Sequence, residues 1–153
     1  MNAVDVLTAC RDHGREKTRL EERLEEMEEA MTGLASGVGL AVQAAPGDRF
    51  AAYAARRDDI ERRLKRLGRL LAAEGQAVIL LSDSLPDVQR KSLRDFYVRC
   101  SSVSKIAAAY GYTPSNIYKA MTEGRRALRE IPEDRVAERL PGWYVKEWEE
   151  AEA

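Results

Sequence analysis

The sequence predicts an all-α chain: a heptad-patterned helical hairpin followed by a compact three-helix segment. Three observations carry this. Ala, Glu, Arg and Leu, all good helix formers, are heavily used, and runs of alternating β-branched residues are missing. Two long stretches place apolar residues alternately four and three apart, with a Gly/Pro-rich break between them. Beyond Ser84, proline, small polar residues and glycine recur where helices start and stop.

The first helix is expected over about residues 4–34. Its seam runs Val6, Cys10, His13, Lys17, Leu20, Leu24, Met27, Met31 and Leu34. His13 and Lys17 place polar groups on that seam, at a cost in stability that can fix register. Gly33, Gly37, Gly39, Pro46 and Gly47 then predict a loop between Met31 and Asp48. Gly37-Val38-Gly39 lacks the lysine and the preceding strand of a phosphate loop.

Asp48 can cap a second helix, expected over about 48–83. Its seam includes Phe50, Tyr53, Arg57, Ile60, Leu64, Leu67, Leu71, Glu74, Val78 and Leu81, and Gly75 predicts a bend. If the chain folds back at the loop, the acidic block Glu21–Glu29 lies beside the basic block Arg56–Arg69, with Leu24 near Asp59 or Ile60. Residues 1–83 therefore read as an antiparallel coiled-coil hairpin. Its thin core would gain from doubling, which predicts a homo-oligomer.

Residues 84–130 read as three helices. Pro86 suits a first turn, and the helix it opens runs to about Arg99 with Leu93, Phe96 and Tyr97 inward. Ser101 or Ser102 caps a short helix, Val103 to Tyr110, that buries Ile106 and Ala107. Gly111 suits the left-handed residue that ends a helix. Thr113 caps, and Pro114 opens, a third helix reaching about Arg129 with Ile117, Met121, Gly124 and Leu128 inward.

A short helix, a tight turn and a longer helix make the helix-turn-helix plan. Charge supports that reading. The whole chain carries a net −1, yet its charges are segregated. Between Pro86 and Glu130, Arg90, Lys91, Arg94, Arg99, Lys105, Lys119, Arg125, Arg126 and Arg129 face only Asp87, Asp95, Glu123 and Glu130. Such a local positive field suits a polyanion. The expected partner is double-stranded DNA, with the third helix in the major groove. Asn116 can read adenine bidentately, and Lys119 can reach guanine or phosphate. Thr113, Ser115, Tyr118 and Thr122 suit phosphate or mixed contacts, and Lys105, Arg125 and Arg126 would grip the backbone on either side.

A family likeness rests on these same residues. Leu85-Pro86, Gln89-Arg90, Leu93, Tyr97-Val98, Ser102, Ile106-Ala107, Gly111, Thr113, Ile117, Met121 and Arg125-Arg126-Ala127-Leu128-Arg129 resemble region four of bacterial sigma factors. The likeness covers about Leu85 to Glu130 and implies binding near promoters, with RNA polymerase as a further partner. The layout as a whole resembles phage late-gene transcription regulators of the ArpU and RinA type. Cys100 departs by standing where glycine is common in the turn. Pro114, Ser115 and Tyr118 replace charged residues often found at base-reading positions, so the family's sequence preference does not carry over.

Residues 131–153 form an acidic tail in which Trp143, Tyr144 and Trp148 sit among glutamates. Docking back onto its own domain is the expected use of these aromatics; shielding the basic helices is a second. No catalytic arrangement is recognisable, so an enzyme is not expected. Cys10, Cys100 and the lone His13 lack metal-ligand spacing, so neither a metal nor a cofactor is expected. Free thiols, no apolar leader and no bilayer-length run predict a cytoplasmic protein without membrane contact. Two rivals share many of these features: a phage small-terminase-like DNA-packaging subunit, and a partner-interaction protein that occupies polymerase without binding DNA.

Overall fold

The computed structural model describes residues 1–35 and 46–153, and every regular element among them is helical. In chain order these are α1 (Ala3–Ala35), α2 (Pro46–Leu81), α3 (Asp87–Leu93), a π-helical turn (Arg94–Val98), α4 (Val103–Tyr110), α5 (Pro114–Arg129), α6 (Glu133–Glu138) and α7 (Gly142–Glu152). Most of the expected Met31-to-Asp48 loop, including Gly37 and Gly39, lies outside the described residues. α2 begins at Pro46, so Asp48 falls in its first turn rather than at its cap. A carboxylate there still faces the positive end of the helix dipole. The helix continues unbroken through Gly68 and Gly75.

Two compact units form: Met1–Arg15 with Arg69–Ala153, and Glu16–Gly68. Their boundaries fall inside α1 and α2, not at residue 83 where the sequence reading ends the hairpin. The reason lies in the first turns of α1. Ala3, Val6, Leu7 and Cys10 are almost fully buried, and they belong to one apolar cluster with Leu70, Ala77, Val78, Leu93, Ile106, Ile117, Met121, Leu128, Val136 and Tyr144. Heptad spacing records only that one face of a helix is apolar. Whether that face meets another long helix or a globular core is decided by tertiary contact.

In the larger unit, α5 packs on α3 and α4. The approach to α3 is close. A Cβ added at Gly124 would stand 2.7 Å from Leu93 Cδ1 and 3.5 Å from Gln89 Cβ. The end of the α3 region departs from the expected regular helix: the Arg99 N–H donates to the Arg94 carbonyl at 3.2 Å, five residues back. Asp95 gathers this corner. Its carboxylate accepts from the Tyr110 hydroxyl and from Arg99 (3.1 Å), and its carbonyl accepts from the Ser101 N–H at 2.9 Å. Cys100 takes φ +56, the left-handed conformation that glycine adopts most easily.

A buried polar knot crosses the same core. Glu74 is wholly inaccessible, and its carboxylate is held by His13 Nδ1 at 2.8 and 2.9 Å and by the Tyr144 hydroxyl at 2.5 Å. The acidic tail is thus two short helices, α6 and α7, with Tyr144 in the core and Trp143 beneath the Arg69 guanidinium at 4.0 Å.

The smaller unit contains the rest of α1 and the first part of α2. Arg63 pairs with Glu16 through two hydrogen bonds (2.5 and 2.8 Å), and Arg57 pairs with Glu28 at 3.0 Å. As numbers rise along α1, their partners' numbers fall along α2. Leu20, Leu24, Met27, Met31, Tyr53, Ile60 and Leu64 are only half-buried here.

Candidate nucleic-acid interface

The candidate interface is assembled by local chemistry at two helix starts. The Ser102 side chain accepts from the Lys105 backbone N–H at 3.2 Å and caps α4. α4 ends at Gly111, whose φ of +72 is left-handed, and the Tyr112 N–H returns to the Ala107 carbonyl at 2.9 Å. Two residues later Thr113 Oγ1 accepts from the Asn116 N–H at 3.2 Å, with Pro114 at the first helical position. These bonds fix where α5 begins and therefore which of its side chains point outward.

α5 buries Ile117, Ala120, Met121, Gly124 and Leu128. At about 3.6 residues per turn, the row directly opposite is Ser115, Lys119, Thr122 and Arg126. All four are exposed. Lys119 and Arg126 have no acidic partner among the described residues, and the same holds for Lys105 at the start of α4 and Arg129 at the end of α5. Of the other five cations of the segment, Arg125 is hydrogen-bonded to Tyr97 and Thr122, and four are ion-paired. Arg90 and Lys91 pair with Asp87, Arg94 with Asp83, and Arg99 with Asp95. Asp87 is correspondingly held below the usual carboxylate range, chiefly by its bond from Lys91. The uncompensated positive charge of the segment therefore gathers on α5 and the first turn of α4.

The nine residues singled out in the sequence do not share one role in this geometry. Asn116 is exposed but lies on one flank of α5, the flank that also carries Glu123, which accepts from Gln89 at 3.4 Å. A carboxylate there repels a phosphate approaching from that side. Tyr118, 57% exposed, lies on the opposite flank with Arg125. Arg125 is half-buried and donates to the Tyr97 hydroxyl (3.2 Å) and to Thr122 Oγ1 (3.3 Å), so it braces α5 against the core. The Thr122 hydroxyl donates to the Tyr118 carbonyl at 2.8 Å. Thr113 is occupied as a cap acceptor, with its hydroxyl proton still available. Arg129 was missed as a candidate. It stands among the segment's cations in the sequence, and its position three residues after Arg126 puts it on the same broad face.

The α5 row is exposed, and two aromatics of α7 engage α2: Tyr144 bonds Glu74, and Trp143 lies beneath Arg69. Among the described residues, no group of His, Cys, Asp and Glu could hold a metal ion, and no helix is long and apolar enough to cross a membrane. No protein-family model, curated protein or solved structure matches the chain.

Proposed function

We propose that this chain is a DNA-binding transcription regulator that lays the exposed row of α5 in the major groove of double-stranded DNA. One observation carries the reading: Ser115, Lys119, Thr122 and Arg126 form a continuous outward row in which both cations lack an acidic partner. Unpaired cations can displace condensed counterions from phosphates, and the short polar side chains between them leave a base edge within reach. α4 and α5, with the capped turn between them, are the two helices of a helix-turn-helix. Lys105 and Arg129 lie beyond the ends of the row and suit backbone phosphates.

The likeness of residues 85–130 to sigma region four supports promoter-proximal binding and RNA polymerase as a partner, and the layout's likeness to ArpU- and RinA-type regulators supports a phage or prophage origin. The opposed ion pairs of the smaller unit support an antiparallel coiled-coil hairpin, and its half-buried seam supports pairing of two chains there. The chemistry proposed is recognition, with no catalytic step.

The test is binding of the full chain to duplex fragments from around its own gene, at several salt concentrations. Lys119→Ala is expected to cost about 1–3 kcal/mol on the preferred fragment, while Arg126→Ala weakens all duplexes alike and flattens the salt dependence. Asn116→Ala, on the flank, is expected to cost less than Lys119→Ala. Affinity that ignores salt and both cation substitutions would sink the reading and leave a partner-interaction protein in its place. A ring of many chains on DNA would instead favour the packaging subunit.

A further inference from the structure

We propose that a groove at the C-terminal end of α2, bordered by α6, receives an acidic amphipathic segment of a protein partner. The groove encloses about 390 Å³ and is lined by Leu80, Leu81, Asp83, Ser84, Ile131, Arg135 and Arg139, all within the larger unit. Its aliphatic wall is open to solvent: Leu80 is 42% exposed, and Ile79, next in sequence and just outside the lining, is 41% exposed. Leaving two adjacent large aliphatic side chains in water forgoes burial that folding ordinarily exploits.

Charge identifies the occupant. Arg135 and Arg139 are four residues apart on α6 and its end, so both reach the same groove. Both are exposed, and neither has an acidic partner among the described residues. The acidic lining residue, Asp83, is engaged by Arg94 at 3.5 Å. A ligand that fits must offer aliphatic side chains to Leu80 and Ile131 and carboxylates to the two guanidiniums. A segment with leucine-like residues on one face and flanking glutamates or aspartates does both. A nucleic-acid backbone supplies the anions but leaves the aliphatic floor unmatched. None of these residues belongs to the α5 row, so this surface stands or falls independently of DNA binding.

The probe is a capped helical peptide with leucines on one face flanked by glutamates four residues apart, alongside the same peptide with lysine replacing each glutamate. Methyl NMR of the full chain follows Leu80 and Ile131, and fluorescence anisotropy gives the affinity. The glutamate peptide is expected to shift both methyl sets. Its affinity should fall at least about tenfold in the Arg135→Glu/Arg139→Glu double variant and also in Leu80→Asn. Unchanged circular dichroism confirms that the variants stay folded. The inference is overturned by absent binding, by equal binding of the lysine peptide, or by binding that survives charge reversal. Leu80 and Ile131 shifts produced by duplex DNA alone, or self-association abolished by the double variant, would assign the groove to DNA or to a second copy instead.

Discussion

Glu74 is the residue on which the larger unit is most exposed to damage. A carboxylate with no accessible surface is tolerated only when its hydrogen-bonding capacity is met, and His13 and Tyr144 meet it from residues 61 and 70 positions away in sequence. Glu74→Ala removes the acceptor, leaves a void and strands two polar partners. A loss of about 2–5 kcal/mol is expected in urea unfolding, with Glu74→Gln clearly milder because an amide still fills the space and offers one acceptor. A loss below about 1 kcal/mol for the alanine variant would show that the knot contributes little. Cys10 lies beside it. Burial, reinforced by Glu74 and Cys100, pushes the Cys10 thiol from 9.0 up to about 12. Between those two values the unfolded thiol releases its proton while the folded one keeps it. Stability is therefore expected to decline as pH rises through that window, and Cys10→Ala to remove part of the decline. Iodoacetamide near pH 8, read by mass spectrometry, should label half-buried Cys100 well before Cys10.

At the scale of the element, the tightest packing constraint is where α5 crosses α3. Alanine is worth about 1 kcal/mol more than glycine inside a helix. At Gly124 that gain is opposed by Leu93, fully buried and only 2.7 Å from where the new methyl would sit. Leu93 must shift within a buried site to admit that methyl, and overpacking a core costs about 1–3 kcal/mol. Gly124→Ala is thus expected to destabilise and to lower the thermal midpoint, whereas an exposed helical glycine replaced by alanine would do the reverse. A raised midpoint would show that α3 and α5 can separate cheaply. The same elements mark what the sequence could and could not disclose. The cap at Thr113, the cap at one of Ser101 and Ser102, and the left-handed Gly111 were legible because each is a local bond or a local backbone demand, settled within three or four residues. The π-helical turn was not, since Arg94–Val98 contains nothing that disfavours a regular helix. Asp95, tied to Tyr110 and Arg99, anchors the corner through tertiary contact. The division of roles on α5 was half-legible. Spacing alone separates the outward row from the flanks, but the bracing of Arg125 depends on Tyr97, which only the folded chain brings near.

At the scale of the molecule, one long helix serves two environments. The apolar residues of α1 keep a steady rhythm throughout, yet Val6 and Cys10 are buried in the larger unit while Leu20, Leu24 and Met27 stay half-exposed in the smaller one. The difference comes from what accompanies the rhythm. Small residues such as Ala3 let the first turns sink into a core, whereas Glu21, Glu22, Glu25 and Glu26 hold the later turns in water on every side but the seam. Two helices cannot cover such a seam by themselves, because each pairs along one line and leaves the flanks of its apolar residues wet. Exposed ion pairs such as Arg57–Glu28 are worth little energetically and serve to select register. The missing cover is expected to come from a second chain, which would also present two α5 rows to DNA. Sedimentation equilibrium should then give twice the chain mass of 17.2 kDa, and Leu24→Lys should return it to one chain. Because Leu24 lies outside the larger unit, the variant should keep that unit's near-ultraviolet signal from Trp143, Tyr144 and Trp148. It should lose affinity for long duplexes more than for short ones, since only a paired chain can engage two sites at once. A parent chain that sediments as a single copy at high concentration would leave the seam without its proposed partner.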